Sequence, residues 1–398
     1  MKFFTYLFDD EMEQFFYKKT QDFDKYSNRE LLAYGLGATL YMPATRPNIQ
    51  QDILSQKHEG LTSLVIDLED AVGDNEVGSA EALLIAELTN LYRELNKGFL
   101  SIGDLPLLFI RIRNLEQFNR IKEQLGTAIE VLTGAVLPKF DSESGEGLLL
   151  AAKKIHTKQH PFYVMPILET SKVIYKETRI SELVKIKKLL DDTKDNVLNV
   201  RIGATDFSGL YGIRRSADTT VYDIAVVRDC ISDIINTFQR LESPYVISGP
   251  VWEYFSAKNR MLKPQLRQTP FRERYGAEGL KWRDDLIDQN MDGLIREVLM
   301  DISNGLTGKT IIHPSHIKVV QALNVVSYEE YSDASNIIRA ATEEVGVMKS
   351  DFANKMNEIK PHYFWAQRTI LKSQLYGVLN EEFTNIDLIK KHVYVSYS

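Results

Sequence analysis

The sequence predicts an α/β protein: a (β/α)8 TIM barrel with an N-terminal extension and a C-terminal helical segment. Three observations carry that expectation. First, short apolar runs recur between residues 38 and 315: "ATLYMPA", "LTSLVIDLED", "LLFIRIRN", "GAVLPKF", "FYVMPILET", "VLNVRIGATDF", "YVISGP" and "KTIIHPS". These eight runs are near-continuous rather than alternating, as strands covered by helices should be. Second, intervening segments such as "EALLIAELTNLYRELNK" and "ISELVKIKKLLDD" repeat apolar residues every three or four positions, the spacing of amphipathic helices. Third, eight such units in roughly 280 residues match the size of a (β/α)8 barrel, ~250 residues. The rival, an open doubly wound sheet, calls for a Gly-x-Gly-x-x-Gly turn after its first strand, and none is found.

The elements then follow in order. Residues 1–37 read as a helical extension with aromatic faces, 38–317 as the barrel, and 318–398 as further helices, "EEYSDASNIIRAATEEV" being the clearest amphipathic case. The aromatic "HYFWAQRTI" at 362–370 suits either a core helix or a cover over a barrel mouth. With 398 residues, 44% apolar and 26% charged, the chain can bury one large core with additions. A net charge of -7 gives no global attraction to nucleic acid or anionic lipid, so neither is an expected partner. Asp9, Asp10, Glu11 and Glu13 interrupt the apolar start too early for a signal peptide or a membrane span, which points to the cytoplasm. The single cysteine, Cys230, excludes a disulfide framework or a Cys-rich zinc site and reads as a buried thiol.

Charged residues gather where the strands should end: Arg46, Glu69, Asp70, Arg111, Lys139, Glu169, Asp206 and His313. In a (β/α)8 barrel these ends share one mouth, where the chemistry sits. Carboxylates crowded there would repel one another unless neutralised. A hard divalent cation held by two carboxylates, with arginines nearby, is the simplest solution.

The ordered segments "LVIDLEDAV", "LFIRIRN", "AVLPK", "PILETSK", "RIGATDFSGLYG" and "GLTGKTIIHPSHI" resemble the strand-end motifs of the HpcH/HpaI aldolase and citrate lyase β-subunit family, which includes malyl-CoA lyases. The resemblance implies a TIM barrel, a magnesium ion and reversible cleavage of a carbon–carbon bond beside a carboxylate. It also implies a homo-oligomer acting on a small anionic keto or hydroxy acid, with a coenzyme A ester as one candidate form.

Residue by residue, the resemblance makes Glu169 and Asp206 the Mg2+ ligands, with a helix-cap role as the alternative for Asp206. Two carboxylates leave positions open for water and substrate oxygens. Arg111 corresponds to the arginine that bridges a substrate carboxylate and the developing enolate oxygen. Arg113 stands where the family has Asn, and would replace Arg111 if the register slipped. Glu69 and Asp70 correspond to the family's catalytic acidic pair, Glu69 holding a metal-bound water or a neighbouring arginine and Asp70 capping the next helix or bracing the loop; the alternative is that both merely start that helix. Arg46 is placed against an anionic part of the substrate, and Lys139 beside the metal carboxylates. His313 takes a structural hydrogen-bonding role. No general base can be matched.

The segment 251–285 departs from the family. From Lys258 to Arg283 it carries eight Lys or Arg residues against two Glu, with aromatic residues interleaved. It reads as a lid in which Arg272 and Arg274 grip an anionic substrate, or as a surface excursion or subunit contact. Two further functions stay open: aldol cleavage without coenzyme A, and a catalytically degenerate barrel that binds a metabolite or acts as a scaffold.

Overall fold

The computed structural model describes residues 1–255, 289–342 and 346–389. Eight strands close into a barrel: β1 (Ala38–Pro43), β2 (Ser63–Asp67), β3 (Leu107–Arg111), β4 (Gly134–Leu137), β5 (Tyr163–Leu168), β6 (Val200–Ile202), β7 (Ile247–Trp252) and β8 (Lys309–Ile311). Each is parallel to its neighbours, and β8 closes the ring onto β1 through Ala38 opposite Lys309 and Leu40 opposite Ile311. All eight expected strands are present. The strands β2 to β6 are buried along their whole length, which is why they read as unbroken apolar runs.

Residues 1–37 depart from a purely helical extension. Two short helices, Asp9–Phe15 and Arg29–Gly35, flank a strand at Phe16–Lys18, which pairs antiparallel with Val378–Leu379. Helices of seven residues have little stability of their own. Here aromatic packing holds the segment: Phe3 stacks on Tyr376 with centroids 4.4 Å apart, and Phe3, Phe4, Phe15, Phe16 and Phe23 are all buried.

The C-terminal segment contains the helices Tyr328–Thr342 and Ile359–Tyr376, joined by a hairpin of Val347–Lys349 with Met356–Glu358. Its last helix packs on helix Arg29–Gly35, and the Tyr376 hydroxyl donates to the Tyr34 carbonyl at 2.8 Å. Arg368 reaches the Gly305 carbonyl in the turn that leads into β8. These contacts put "HYFWAQRTI" at the end where strands enter, so it does not cover this chain's own mouth. Cys230 is buried, and burial pushes its thiol up to about 12. No helix among the described residues is long and apolar enough to cross a membrane.

Candidate functional site

At the carboxyl ends of the strands lies a cavity of about 440 Å³. Asp67, Asp70, Arg111, Glu169, Asp206 and Glu253 form its charged lining, and Tyr41 and Arg201 lie deeper in the barrel. A larger cavity of about 840 Å³ sits between the N-terminal extension and loops that lead into strands. It holds none of the strand-end charges, so the smaller cavity is the candidate site.

Glu169 follows β5 directly and is only 4% exposed. One of its carboxylate oxygens accepts the Lys139 backbone N–H at 2.7 Å. Lys139 follows β4 with φ +46°, an uncommon left-handed conformation for a residue with a side chain, and this turn aims its N–H at Glu169. Burial and the negative charge of Asp206 push the Glu169 carboxyl up to about 8. Asp206 lies in helix Ala204–Gly209 and makes no cap there; burial raises its carboxyl as well. Gly203 lets the pair form, since a Cβ at that position would lie 2.0 Å from Glu169 Oε2.

A second cluster surrounds Arg111. Parallel pairing puts Asp67 opposite Arg111. Arg111 Nε donates to Asp67 Oδ1 at 2.6 Å and Nη2 to Oδ2 at 2.5 Å. Its Nη1 lies 3.1 Å from both Glu69 and Asp70. Burial opposes the charge on Arg111, but Asp67 outweighs it, and the guanidinium titrates above its usual range. Lys139 Nζ meets Glu69 closely, stands 3.3 Å from Asp70 and reaches within 3.8 Å of Asp206. Burial pushes the Glu69 carboxyl up from its ordinary value.

The candidate residues fare differently. Glu169, Asp206, Arg111, Asp70, Glu69 and Lys139 come together at the mouth. Arg113 turns away from it, bracing the 68–74 loop through the Leu68 and Val72 carbonyls and Asp74. Arg46 pairs with Asp52 at 2.7 Å and is absent from the cavity lining. His313 also lies off the lining, stacked on Phe255 with centroids 4.6 Å apart. Arg272 and Arg274 lie outside the described residues, as does most of the proposed lid. Asp70 does not cap the next helix, which begins only at Val77; it faces Arg111 and Lys139, while Asp67 accepts the backbone N–H groups of Glu69 and Ala71 and so holds the turn.

Several residues of the site escaped the strand-end pattern. Asp67 looks like a strand residue because it is one, and only the barrel register turns it toward Arg111. Glu253 follows β7 and meets the Thr205 hydroxyl and Arg215 Nε, the latter at 3.3 Å. Arg215 also binds Glu297 at 2.5 Å, which ties this wall of the cavity to helix Gln289–Ser303. Tyr41 and Arg201 sit inside strands, where alternation in a barrel is masked by burial on both faces.

Five carboxylates, Asp67, Glu69, Asp70, Glu169 and Asp206, thus meet two cations, Arg111 and Lys139. The surplus negative charge and the raised Glu169 carboxyl fit a hard cation bound by oxygen donors. Among the described residues no cluster of three or more His, Cys, Asp or Glu side chains forms a metal site. A two-carboxylate site suits magnesium, which usually keeps several waters.

A family model described as C-C bond lyase of the TIM-barrel fold matches residues 30–378. No curated protein matches the chain. Among solved structures, the chain is similar to the protein CitE from Mycobacterium tuberculosis in complex with magnesium, acetoacetate and coenzyme A. The identity is 18%, the coverage 85% of this chain and 97% of that one, and the TM-score 0.50. It is also similar to a citrate lyase from Burkholderia xenovorans LB400, with 15% identity, coverage of 86% and 92%, and a TM-score of 0.57. At such identities these two likenesses bear on the fold alone, while the family model spans most of the sequence: the chain belongs to the family of C-C bond lyases of the TIM-barrel fold.

Proposed function

We propose that the protein is a magnesium-dependent carbon–carbon lyase, acting by aldol- or Claisen-type cleavage or condensation on a 2-keto or 2-hydroxy acid, with a coenzyme A ester as one candidate form. The observation that carries this reading is the buried Glu169 beside Asp206, two carboxylates pressed together at a mouth already rich in negative charge. Glu169 and Asp206 would hold the ion. Bound there, magnesium would supply Lewis-acid polarisation of the substrate oxygens.

The chain's own residues do the rest. Arg111, fixed by Asp67, keeps a positive charge on the cavity wall where an enolate oxygen develops. Lys139 offsets Glu69 and Asp70 and positions Glu169 through its backbone N–H. Proton transfer is assigned to Glu253, the lining carboxylate outside both clusters, which Arg215 and Thr205 hold in place. A small anion is the expected substrate, and a homo-oligomer is the expected assembly.

The test is hydrogen exchange. Pyruvate in D2O with magnesium should lose its methyl protons in the presence of the protein, as followed by NMR. Glu253→Gln should lower that rate by about 10²- to 10⁴-fold, the usual worth of a general base. Parent protein that binds magnesium and pyruvate but never exchanges the methyl protons would favour the metabolite-binding alternative.

A further inference from the structure

Arg201, in the middle of β6, is 2% exposed and crosses the barrel interior. Its Nη1 donates to the Thr310 hydroxyl and its Nη2 to the Thr39 hydroxyl, each at 2.7 Å. Both partners are neutral, and among the described residues the buried Nε–H has no acceptor of hydrogen-bond geometry. Among the described residues no carboxylate lies within ion-pair distance of this guanidinium. Beside it, the Tyr41 ring meets two arginines, its centroid 5.8 Å from Arg201 Cζ and 5.4 Å from Arg111 Cζ. Among the described residues the buried Tyr41 hydroxyl likewise finds no acceptor for its proton. Arg201, Tyr41 and Thr310 all line the cavity that holds Glu169 and Asp206.

Removing a guanidinium from water without a counter-charge costs several kcal/mol. Proteins rarely carry that cost without an anion to offset it. Arg111 differs sharply, because three carboxylates already engage its N–H groups. Resting on the lyase reading of the cavity, we infer that Arg201, with the Tyr41 hydroxyl, is the anchor for a substrate carboxylate on the cavity floor. The anchor is built into the barrel wall and does not depend on Arg111. Burial holds Arg201 below the usual arginine range, consistent with a cation lacking its anion. Arg201 is almost fully buried at the floor of a cavity of about 440 Å³, so the anchor takes a carboxylate on a short carbon chain, while a coenzyme A moiety would have to stay outside.

The test is a pyruvate titration followed by thermal shift, run with EDTA and then with magnesium, on the parent, Arg201→Met, Arg201→Lys and Tyr41→Phe. Loss of a charge-assisted hydrogen bond should weaken pyruvate binding by about ten- to a hundredfold in Arg201→Met. Arg201→Lys should fall between, and Tyr41→Phe should weaken binding by a smaller factor. Without ligand, Arg201→Met should melt no lower than the parent, since it removes an uncompensated buried charge, and it should keep the magnesium-dependent rise. Pyruvate binding unchanged in Arg201→Met would overturn the anchor. So would a parent that pyruvate does not stabilise in either condition. If Arg201→Met fails to fold, the arginine is structural, and unchanged pyruvate binding by Tyr41→Phe would complete the refutation. A parent that binds pyruvate in EDTA but shows no response to magnesium would sink the metal reading and leave the anchor standing.

Discussion

Asp67 and Arg111 are direct neighbours across the β2–β3 ladder, and their side chains close a two-pronged ion pair with bonds of 2.6 and 2.5 Å. Asp67 is 2% exposed and also caps the turn that carries Glu69 and Asp70. One carboxylate thereby fixes both the arginine and the acidic loop facing it.

Replacing Asp67 with Asn should therefore cost about 3–5 kcal/mol of stability, the usual result of breaking a buried pair from one side. Urea unfolding measures this. Asp70→Asn, at a half-exposed position, should cost no more than about 1 kcal/mol. Equal losses in the two variants would show that Asp67 has no special place in the cluster.

Gly203→Ala tests the metal pair without altering a carboxylate. The new Cβ would fall 2.0 Å from Glu169 Oε2 and 2.5 Å from its Cβ, so Glu169 must move. The variant should lose most magnesium-dependent stabilisation while folding into the same barrel by circular dichroism. An undiminished magnesium response would mean that Glu169 can bind from another rotamer or does not bind at all.

The pH dependence follows from Glu169. Its carboxyl titrates near 8 in the folded protein against an ordinary value of 4.5. Between those values the folded state keeps a proton that the unfolded state has released, so this group's contribution to stability falls as pH rises. In EDTA, the melting temperature of the parent relative to Glu169→Gln should decline from about pH 5 to about pH 8. Magnesium competes with that proton, so its affinity should rise over the same window. A parent-minus-variant difference that is flat or rises with pH would contradict the buried, proton-retaining Glu169.

Lys309 supplies a prediction away from the mouth. Fully buried at the start of β8, it lies 2.9 Å from Glu297 and 2.7 Å from Asp301. Lys309→Met would leave two carboxylates with less compensation, and about 3–5 kcal/mol of stability should be lost. Glu297 also holds Arg215, which in turn holds Glu253, so methyl-proton exchange should fall as well. Lost stability with unchanged exchange would disconnect this network from the site.

The barrel was legible in the sequence because parallel strands covered on both faces must be apolar throughout, and the runs from "LTSLVIDLED" to "KTIIHPS" show it. That Glu169 and Asp206 lie at the mouth was legible because Glu169 follows β5 directly and Asp206 comes within one helical turn of the end of β6. Asp67 and Arg201 were not, since a charged residue inside a strand gains its meaning from the strand across the barrel, which local pattern does not specify. Arg46 follows β1 as the strand-end pattern has it, but its ion pair with Asp52 six residues later is again something that pattern does not specify. The extension misled, because Phe16–Lys18 becomes a strand only through pairing with residues more than 350 positions away.

The central claim is that Glu169 and Asp206 form one magnesium site. Thermal unfolding with and without magnesium, in the parent, Glu169→Gln and Asp206→Asn, tests it most directly. Binding to the native state alone should raise the melting temperature of the parent, by about 2.7 kcal/mol of added stability at a hundredfold excess over Kd. Each variant should lose that rise while remaining folded. A parent indifferent to magnesium, or variants that keep its full response, would contradict the account.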